Sequence, residues 1–346
     1  MIDKQIQKFL ETAIEKKASD IHLIAGEAPT IRVNAELIPI GTSALTNTEL
    51  KKMVYTLISK EQAEKFEKDL EFDFALGLGK NRFRINLHWQ RGEIGLAARV
   101  IPSKIPTVEE IGLDEKLVNL TRLGQGLVIV NGPTGNGKST TLASMINTIN
   151  TERKLHVITI EDPVEFVYEK KKSLIEQREL GLDTHSFAGA LKYALRQDPN
   201  VILVGEMRDF DTIAATLTAA ETGHLVFSTL HTYSAPETIQ RIIDMYPPNQ
   251  QREVLVQLAS TLRAVISQQL LPKKGGGMIA VREIMVNTPA VANLIRQNKT
   301  AQLYSVMQTS REDGMITMEG AVRQAWQDGK ITEEGANRAL SNTMKI

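Results

Sequence analysis

The sequence has no cysteine, no excess of charge of either sign and no long apolar run. Because none of its 346 residues is cysteine, disulfide bonds and cysteine-based zinc sites are excluded. Lys plus Arg and Asp plus Glu each number 41, so the net charge gives no general attraction to nucleic acid. No apolar run approaches the roughly 18 to 20 residues that cross a bilayer, and no apolar signal core opens the chain. These absences predict a cytoplasmic α/β protein, with membrane association only through partners.

What the sequence does contain is a glycine-rich loop between a β-branched run and a helix-permissive run. Its letters GPTGNGKS match the phosphate-loop pattern of Gly, four residues and Gly-Lys-Ser at every fixed position. The glycines allow main-chain N–H groups to approach a phosphate. A turn that binds nothing is disfavoured because the whole motif stands between a strand and a helix. The expected nucleotide-binding residues are Gly132, Pro133, Thr134, Gly135, Asn136, Gly137, Lys138, Ser139 and Thr140.

The chain divides by pattern into two domains and a linker. Residues 1–100 alternate helical and strand patterns and predict a small α+β domain, with one helix over about 48–66 and a turn at Asn34–Ala35 between two short strands. Residues 101–112 carry two prolines and predict a linker. Residues 113–346 form the second predicted domain, whose last part, from about 288, is helical in pattern.

The second domain is predicted to hold a parallel sheet. Residues 155–160, 201–204 and 225–230 are short Val, Ile and Leu-rich runs without alternation, and helical patterns lie between them. This arrangement is typical of parallel strands covered by helices on both faces. Residues 278–285 predict a further strand.

Acids and histidines stand at the ends of these strands. Glu161 and Glu165 follow the first strand, and the run that ends in Glu206 resembles a Walker B segment with glutamate as the acid. Acids after strands are common, but downstream of a phosphate loop they predict Mg²⁺ binding and water orientation. His224 and His231 bracket the third strand. They are interpreted as sensors of the γ-phosphate, with ordinary hydrogen-bonded histidines as the alternative.

Arg84 and Arg99 lie on the last two predicted strands of the small domain. Surface ion pairing is one interpretation, and it contributes little to stability. The other is an arginine finger that stabilises charge on a transferred phosphate. A hairpin register would place both guanidinium groups on one face.

Four segments together resemble the nucleotide boxes of the secretion and type IV pilus ATPases. They read GPTGNGKSTT, ITIEDPVEF, ALRQDPNVILVGEMRD and TGHLVFSTLHT, and ASDIHL with LIRQNKTAQLYSVMQT is similar to the retraction branch. The resemblance implies an α/β fold: a PAS-like N-terminal domain, a RecA-like P-loop domain, helices at the C-terminus and a homo-hexamer that hydrolyses ATP. It assigns nucleotide and Mg²⁺ to Lys138 and Ser139, Mg²⁺ also to the Walker B acid Glu206, the Asp box to Glu161 and Glu165, the His box to His224 and His231, and nucleotide-reaching arginines to Arg84 and Arg99.

The resemblance also implies what the protein works with and where. A retraction ATPase acts on the pilus machinery through an inner-membrane platform protein, at the cytoplasmic face of that membrane, and binds no nucleic acid. Two alternatives stay open. An assembly ATPase for pilus extension or type II secretion usually carries an extra N-terminal region and a four-cysteine zinc insertion, and this sequence has no cysteine. A non-hydrolysing partner subunit is disfavoured by the intact Lys138, Ser139 and Glu206.

Overall fold

The computed structural model describes residues 2–33, 36–79, 81–101 and 104–343. They form two compact units: residues up to 104 with 165–167, and residues 105–164 with those from 168 on. The predicted turn at Asn34–Ala35 and two residues of the predicted linker, Pro102 and Ser103, lie outside the described residues. Among the helices in these ranges, none is long and apolar enough to span a membrane.

The first unit is an antiparallel sheet with three helices. Its strands lie in the order β3-β2-β1-β6-β5-β4. In chain order its elements are α1 (Lys4–Glu15), β1 (Asp20–Ile24), β2 (Thr30–Val33), β3 (Glu36–Pro39), α2 (Asn47–Val54), α3 (Lys60–Asp69), β4 (Glu71–Leu78), β5 (Asn81–Gln90) and β6 (Glu93–Ile101).

The single helix predicted over about 48–66 is wrong, because the segment forms two helices. Thr46 caps α2 and Ser59 caps α3, each through a reciprocal capping box with the residue three positions on. A capping box satisfies two backbone donors that a helix start leaves unpaired. Ser59 and Gln62 therefore start a new helix where the apolar spacing alone indicated a continuous one.

The second unit is built on a seven-stranded sheet with the order β13-β12-β7-β11-β10-β8-β9. Its elements are α4 (Glu115–Val118), β7 (Gly126–Asn131), α5 (Lys138–Glu152), β8 (His156–Glu161), β9 (Leu174–Glu179), α6 (Phe187–Ala194), β10 (Val201–Val204), α7 (Phe210–Glu221), β11 (Leu225–Leu230), α8 (Ala235–Asp244), α9 (Gln251–Thr261), β12 (Leu262–Pro272), β13 (Met278–Val286), α10 (Pro289–Arg296), α11 (Leu303–Thr309), α12 (Met318–Gln327) and α13 (Glu333–Thr343).

This sheet is parallel except for its edge strand β13, which pairs with β12 in the antiparallel sense. Alternate residues of β7 enter different cores. Leu127 and Ile129 belong to one buried cluster, whereas Val128 and Val130 belong to another. Since successive side chains of a strand point to opposite faces, both faces of the sheet are covered, as predicted. The strands β9 and β12 were not predicted from the sequence.

Candidate active site

The candidate site lies at the carboxyl edge of the parallel strands. β7, β8, β10 and β11 run side by side in register, so the residues that follow their last positions meet at one edge of the sheet. In open α/β sheets ligands bind at this edge. It receives the phosphate loop after β7, Glu161 at the end of β8, Glu206 after β10 and His231 after β11.

The loop after β7 needs glycine for two different physical reasons. At Gly132, φ is +143° and an added Cβ would stand 2.4 Å from the carbonyl oxygen of Gln268. At Gly135, φ is +81° and nothing lies within 4 Å of an added Cβ. The first glycine therefore permits close approach of two backbones, whereas the second only permits a left-handed turn.

The helix that follows the loop begins without a side-chain cap. Gly137 occupies the N-cap position of α5 with φ of +75°, and no acidic residue lies in the first turn. A helix start leaves N–H groups unpaired and carries partial positive charge. The 15-residue α5 thus presents its positive end at the loop, which suits a phosphate.

Lys138 is buried and its ammonium group turns back onto the loop. Its Nζ donates to the carbonyl oxygens of Gly132 at 2.7 Å and Pro133 at 3.1 Å, and lies 3.4 Å from His231 Nδ1. Only 8% of the residue is exposed. These carbonyls therefore hold the lysine charge against the phosphate loop.

His231 links that lysine to Glu206, the predicted Walker B acid. Its Nε2 lies 3.2 Å from Glu206 Oε2, while its Nδ1 faces Lys138, which can only donate. The ring therefore accepts at Nδ1 and donates from Nε2 to the carboxylate. Glu206, itself buried, also forms an ion pair with Arg208, whose guanidinium lies 3.6 Å from Asp162 Oδ2.

The two predicted Asp-box acids have different surroundings. Glu161 is buried at the end of β8, where its Oε1 accepts from Thr159 Oγ1 at 2.6 Å and from Gln177 Nε2 at 3.3 Å. Glu165 is exposed and belongs to residues 165–167, which group with the first unit. Glu161 therefore lies at the carboxyl edge of the sheet of the second unit.

His224 does not join the site of this unit, in contrast to the expectation that both histidines act together. β11 separates it from His231, and its neighbour Leu225 is in register with Gly126, at the start of β7. Its Nδ1 lies 3.0 Å from the carbonyl oxygen of Ala219 in α7. The two histidines bracket one strand and therefore lie at opposite edges of the sheet.

Arg84 and Arg99 are direct partners across β5 and β6. The register thus puts both side chains on one face of the sheet of the first unit. Arg99 Nε donates to Asp20 Oδ1 at 2.8 Å. Partial burial of Asp20 opposes ionisation, but the hydrogen bonds from Arg99 and Ser19 outweigh it and lower the pKa of this carboxyl.

Sequence reasoning missed the polar residues that support the phosphate loop. Gln268 and Arg282 lie on β12 and β13, and both are buried beside the loop. Asn131, the last residue of β7, donates from Nδ2 to the carbonyl oxygen of Thr232 at 3.0 Å. The sequence feature that could have identified Gln268 and Arg282 is the presence of polar residues inside the apolar segments LRAVISQQLLP and MIAVREIMV.

These residues fit a nucleotide with its magnesium ion. The uncapped start of α5 and the Lys138 ammonium match phosphate charge, and the Ser139 hydroxyl, in the first turn of α5, is an oxygen donor of the kind that Mg²⁺ prefers. The described residues hold no cluster of three or more His, Asp or Glu side chains suited to a metal. Such a cluster is not needed when phosphates and water complete the coordination.

A strand, phosphate loop and helix, with an acid and a histidine at the ends of neighbouring strands, define a P-loop ATPase with a RecA-like sheet. A model of the family described as type II/IV secretion system protein matches residues 1–338. The chain therefore belongs to the type II/IV secretion system protein family. The sequence-based predictions of the family, the α/β fold and a nucleotide-binding ATPase are confirmed.

Individual relatives cover nearly the whole chain. The type IV pilus retraction ATPase PilT of Pseudomonas aeruginosa is 47% identical over 315 residues, 91% of this chain and 92% of its own length. A twitching motility protein of Neisseria gonorrhoeae is 45% identical over 92% of this chain and 86% of its own length. A crystal structure of the pilus retraction motor PilT with bound ADP superposes with a TM-score of 0.91 at 45% identity and covers 96% of both chains.

Proposed function

We propose that this chain is a motor ATPase that hydrolyses ATP to drive retraction of type IV pili. The contact chain from Lys138 through His231 to Glu206, beside the loop, is the observation that carries the hydrolysis. The pilus as target rests on the relatives, since PilT of Pseudomonas aeruginosa matches 91% of this chain at 47% identity. Pilin depolymerisation and twitching motility are the corresponding cellular outputs.

The side chains of the site divide the work. Loop amides and Lys138 bind the phosphates, and Ser139 with Glu206 holds Mg²⁺, which neutralises phosphate charge when bound. Glu206 orients the attacking water, and the support for this role is that His231 and Arg208 contact its carboxylate. Glu161 supports this edge through its buried bonds to Thr159 and Gln177.

His231 suits a sensor of the γ-phosphate. Its ring contacts both the lysine that binds phosphate and the acid that orients water. A change in phosphate charge alters the position of Lys138 and, through the ring, that of Glu206. The contacts of His231 therefore differ in strength before and after the phosphate charge changes. This difference favours one of two arrangements of the site over the other.

The wider assembly is part of the same proposal. We expect a homo-hexamer at the cytoplasmic face of the inner membrane that works on a platform protein of the pilus machinery. In this ring Arg84 and Arg99 supply positive charge to a nucleotide. Glu165 and His224 also belong to the catalytic residues of the assembled ring. The support is the similarity to PilT and the shared face of the two arginines.

Deletion of the gene separates retraction from the extension alternative. Loss of a retraction motor leaves cells with excess surface pili that do not twitch, whereas loss of an extension motor leaves bald cells. Surface pili are counted by electron microscopy in the deletion strain and in the strain carrying the wild-type gene again. Bald deletion cells would overturn the proposed direction of work.

A further inference from the structure

Gln268 lies in β12 directly beneath the phosphate loop and is 1% exposed. Its Nε2 donates to the carbonyl oxygen of Asn136, inside the loop, at 2.6 Å. Its Oε1 accepts from Thr141 Oγ1 in α5 at 2.8 Å and from Arg282 Nε in β13 at 2.8 Å. A single amide thus connects the loop, the helix that follows it and the neighbouring strand.

Arg282 fixes which end of that amide faces the loop. A guanidinium only donates, so the oxygen of Gln268 must face Arg282 and the NH₂ group must face Asn136. Arg282 is itself held by bonds from its terminal nitrogens to the carbonyl oxygens of Gly112 and Ile111, both at 3.0 Å. Burial lowers its pKa to about 10, so it stays charged at neutral pH.

The backbone of β12 adds a second clamp on the same loop residue. The N–H of Leu270 donates to Asn136 Oδ1 at 2.8 Å, and Asn136 Nδ2 donates to the carbonyl oxygen of Pro133 at 3.2 Å. An added Cβ at Gly137 would stand 3.1 Å from Gln268 Nε2. The curvature of the loop is therefore fitted to this strand.

We propose that Gln268 is a positioning residue of the nucleotide site, oriented by Arg282, that holds the phosphate loop in its binding shape. The proposal rests on the proposed function only in that the loop binds nucleotide. Gln268 touches no phosphate in this role. It keeps the loop carbonyl of Asn136 turned toward β12, so that the loop N–H groups remain free for the phosphates.

The loss of this bond affects binding more than chemistry. A loop that must reorder on binding has a lower apparent affinity, because only the ordered fraction is competent. Loss of one buried hydrogen bond corresponds to roughly tenfold in a dissociation constant. Since the loop holds phosphates in both the ground and transition states, KM should rise by a similar factor while kcat changes by less than about threefold.

The test compares Gln268→Glu with the matched control Gln269→Glu in the full-length protein. Glutamate at 268 keeps the oxygen acceptors for Arg282 and Thr141 but cannot donate to Asn136. Glutamate at 269 adds the same charge one residue on, where the strand turns its side chain to the opposite face. The readouts are the dissociation constant of fluorescent methylanthraniloyl-ADP, steady-state kcat and KM for MgATP, and the melting temperature without nucleotide.

We expect Gln268→Glu to weaken nucleotide binding about tenfold and Gln269→Glu to change it less than about twofold, with both proteins folded at the assay temperature according to their melting curves. Equal affinities in the two variants would overturn the proposal. So would a loss confined to kcat. Wild-type protein that binds no nucleotide would instead overturn the proposed function itself.

A second set of variants tests the role of Arg282 without adding charge. Gln268→Met and Arg282→Met should each weaken nucleotide binding. The double variant should bind nucleotide no more weakly than the weaker-binding of the two single variants, because the arginine acts through the glutamine. Coupled residues show such non-additivity. Effects that multiply in the double variant would contradict orientation of Gln268 by Arg282.

Discussion

The ammonium group of Lys138 is held in position by hydrogen bonds at the phosphate loop. Its ammonium group is bound to two carbonyls of its own loop and to the ring of His231. The contacts of its ammonium group are therefore polar and lie at the edge of the sheet. This arrangement separates its role in binding from its role in folding.

We predict that Lys138→Ala lowers MgATP turnover by at least about a hundredfold and leaves the fold intact. Removal of one preorganised donor to developing charge typically costs 10² to 10³ in rate. Turnover is measured on purified protein, with circular dichroism as the check on folding. The control is Lys192→Ala, at an exposed position of α6. Wild-type turnover in a folded Lys138→Ala protein would contradict the assignment.

Glycine substitutions in the loop separate crowding from backbone conformation. Gly132→Ala forces a Cβ to within 2.4 Å of a backbone oxygen in β12, whereas Gly135→Ala meets nothing. Gly135→Ala should lower the free energy of unfolding by about 1 to 2 kcal/mol, because it puts an alanine in the left-handed region. We predict a larger loss of stability, with loss of nucleotide binding, for Gly132→Ala. Denaturant unfolding and nucleotide titration measure both, and a milder effect at 132 than at 135 would refute the close-approach argument.

At the scale of elements, the strands of β-branched residues could be predicted and the polar ones could not. The runs at 201–204 and 225–230 match β10 and β11 residue for residue, because buried parallel strands are continuously apolar. β12 escaped prediction since Ser267, Gln268 and Gln269 interrupt its apolar run. The burial of Ser267 and Gln268 depends on partners from distant segments, which spacing along the chain does not reveal.

The same limit applies to the site. The phosphate loop and Glu206 could be predicted because a local motif dictates their chemistry. The position of His224 could not, since only the direction of β11 in the sheet decides which histidine reaches the phosphate edge. The support of the loop by Gln268 and Arg282 rests on hydrogen bonds between residues far apart in the chain.

Glu283 joins two helices to the edge of the sheet. It is 2% exposed, and its carboxylate accepts from the backbone N–H of Ala235 at the start of α8, from Ser267 Oγ, and from the backbone N–H of Met318 at the start of α12. Burial raises the pKa of this carboxyl above its ordinary value of 4.5, against the effect of these three donors.

We predict that Glu283→Gln lowers stability most at acidic pH. The amide NH₂ cannot accept one of the backbone donors, which costs about 1 to 3 kcal/mol. Because the folded-state pKa is raised, wild-type protein has the full benefit of the protonated group below pH 4.5 and loses it as pH rises through the folded-state pKa. The difference in unfolding free energy between wild type and variant should therefore shrink from pH 4.5 to pH 7. Exposed Glu312→Gln is the control variant. A difference in unfolding free energy between wild type and Glu283→Gln that grows from pH 4.5 to pH 7 would contradict this prediction.

At the scale of the whole molecule, the account requires a ring in which arginines of one unit serve a nucleotide. Arg84 is exposed and stands opposite Arg99, which is bonded to Asp20. In such a ring a phosphate would compete with Asp20 for the Arg99 guanidinium. The ion pair with Asp20 is largely exposed on the arginine side, so its loss costs little.

We predict that Arg84→Ala and Arg99→Ala lower turnover at least about tenfold while nucleotide affinity falls only modestly, since the phosphate loop is unchanged. Lysine should restore neither site well, because it lacks the planar, two-pronged donor. Turnover and affinity are measured on both variants and on the control Arg91→Ala, at the exposed β5–β6 turn. Light scattering should show a hexamer for each. Wild-type turnover in intact rings would make these arginines surface residues, and a monomer at all concentrations would contradict the ring.

The central claim is that hydrolysis at Glu206 powers pilus retraction, and direct observation of labelled pili in living cells tests it. The deletion strain receives either the wild-type gene or Glu206→Gln, which keeps the shape of the side chain and removes its charge. We predict that pili of Glu206→Gln cells extend but do not retract, and that purified Glu206→Gln protein still binds ATP. Pili that retract at the wild-type frequency in Glu206→Gln cells would contradict it.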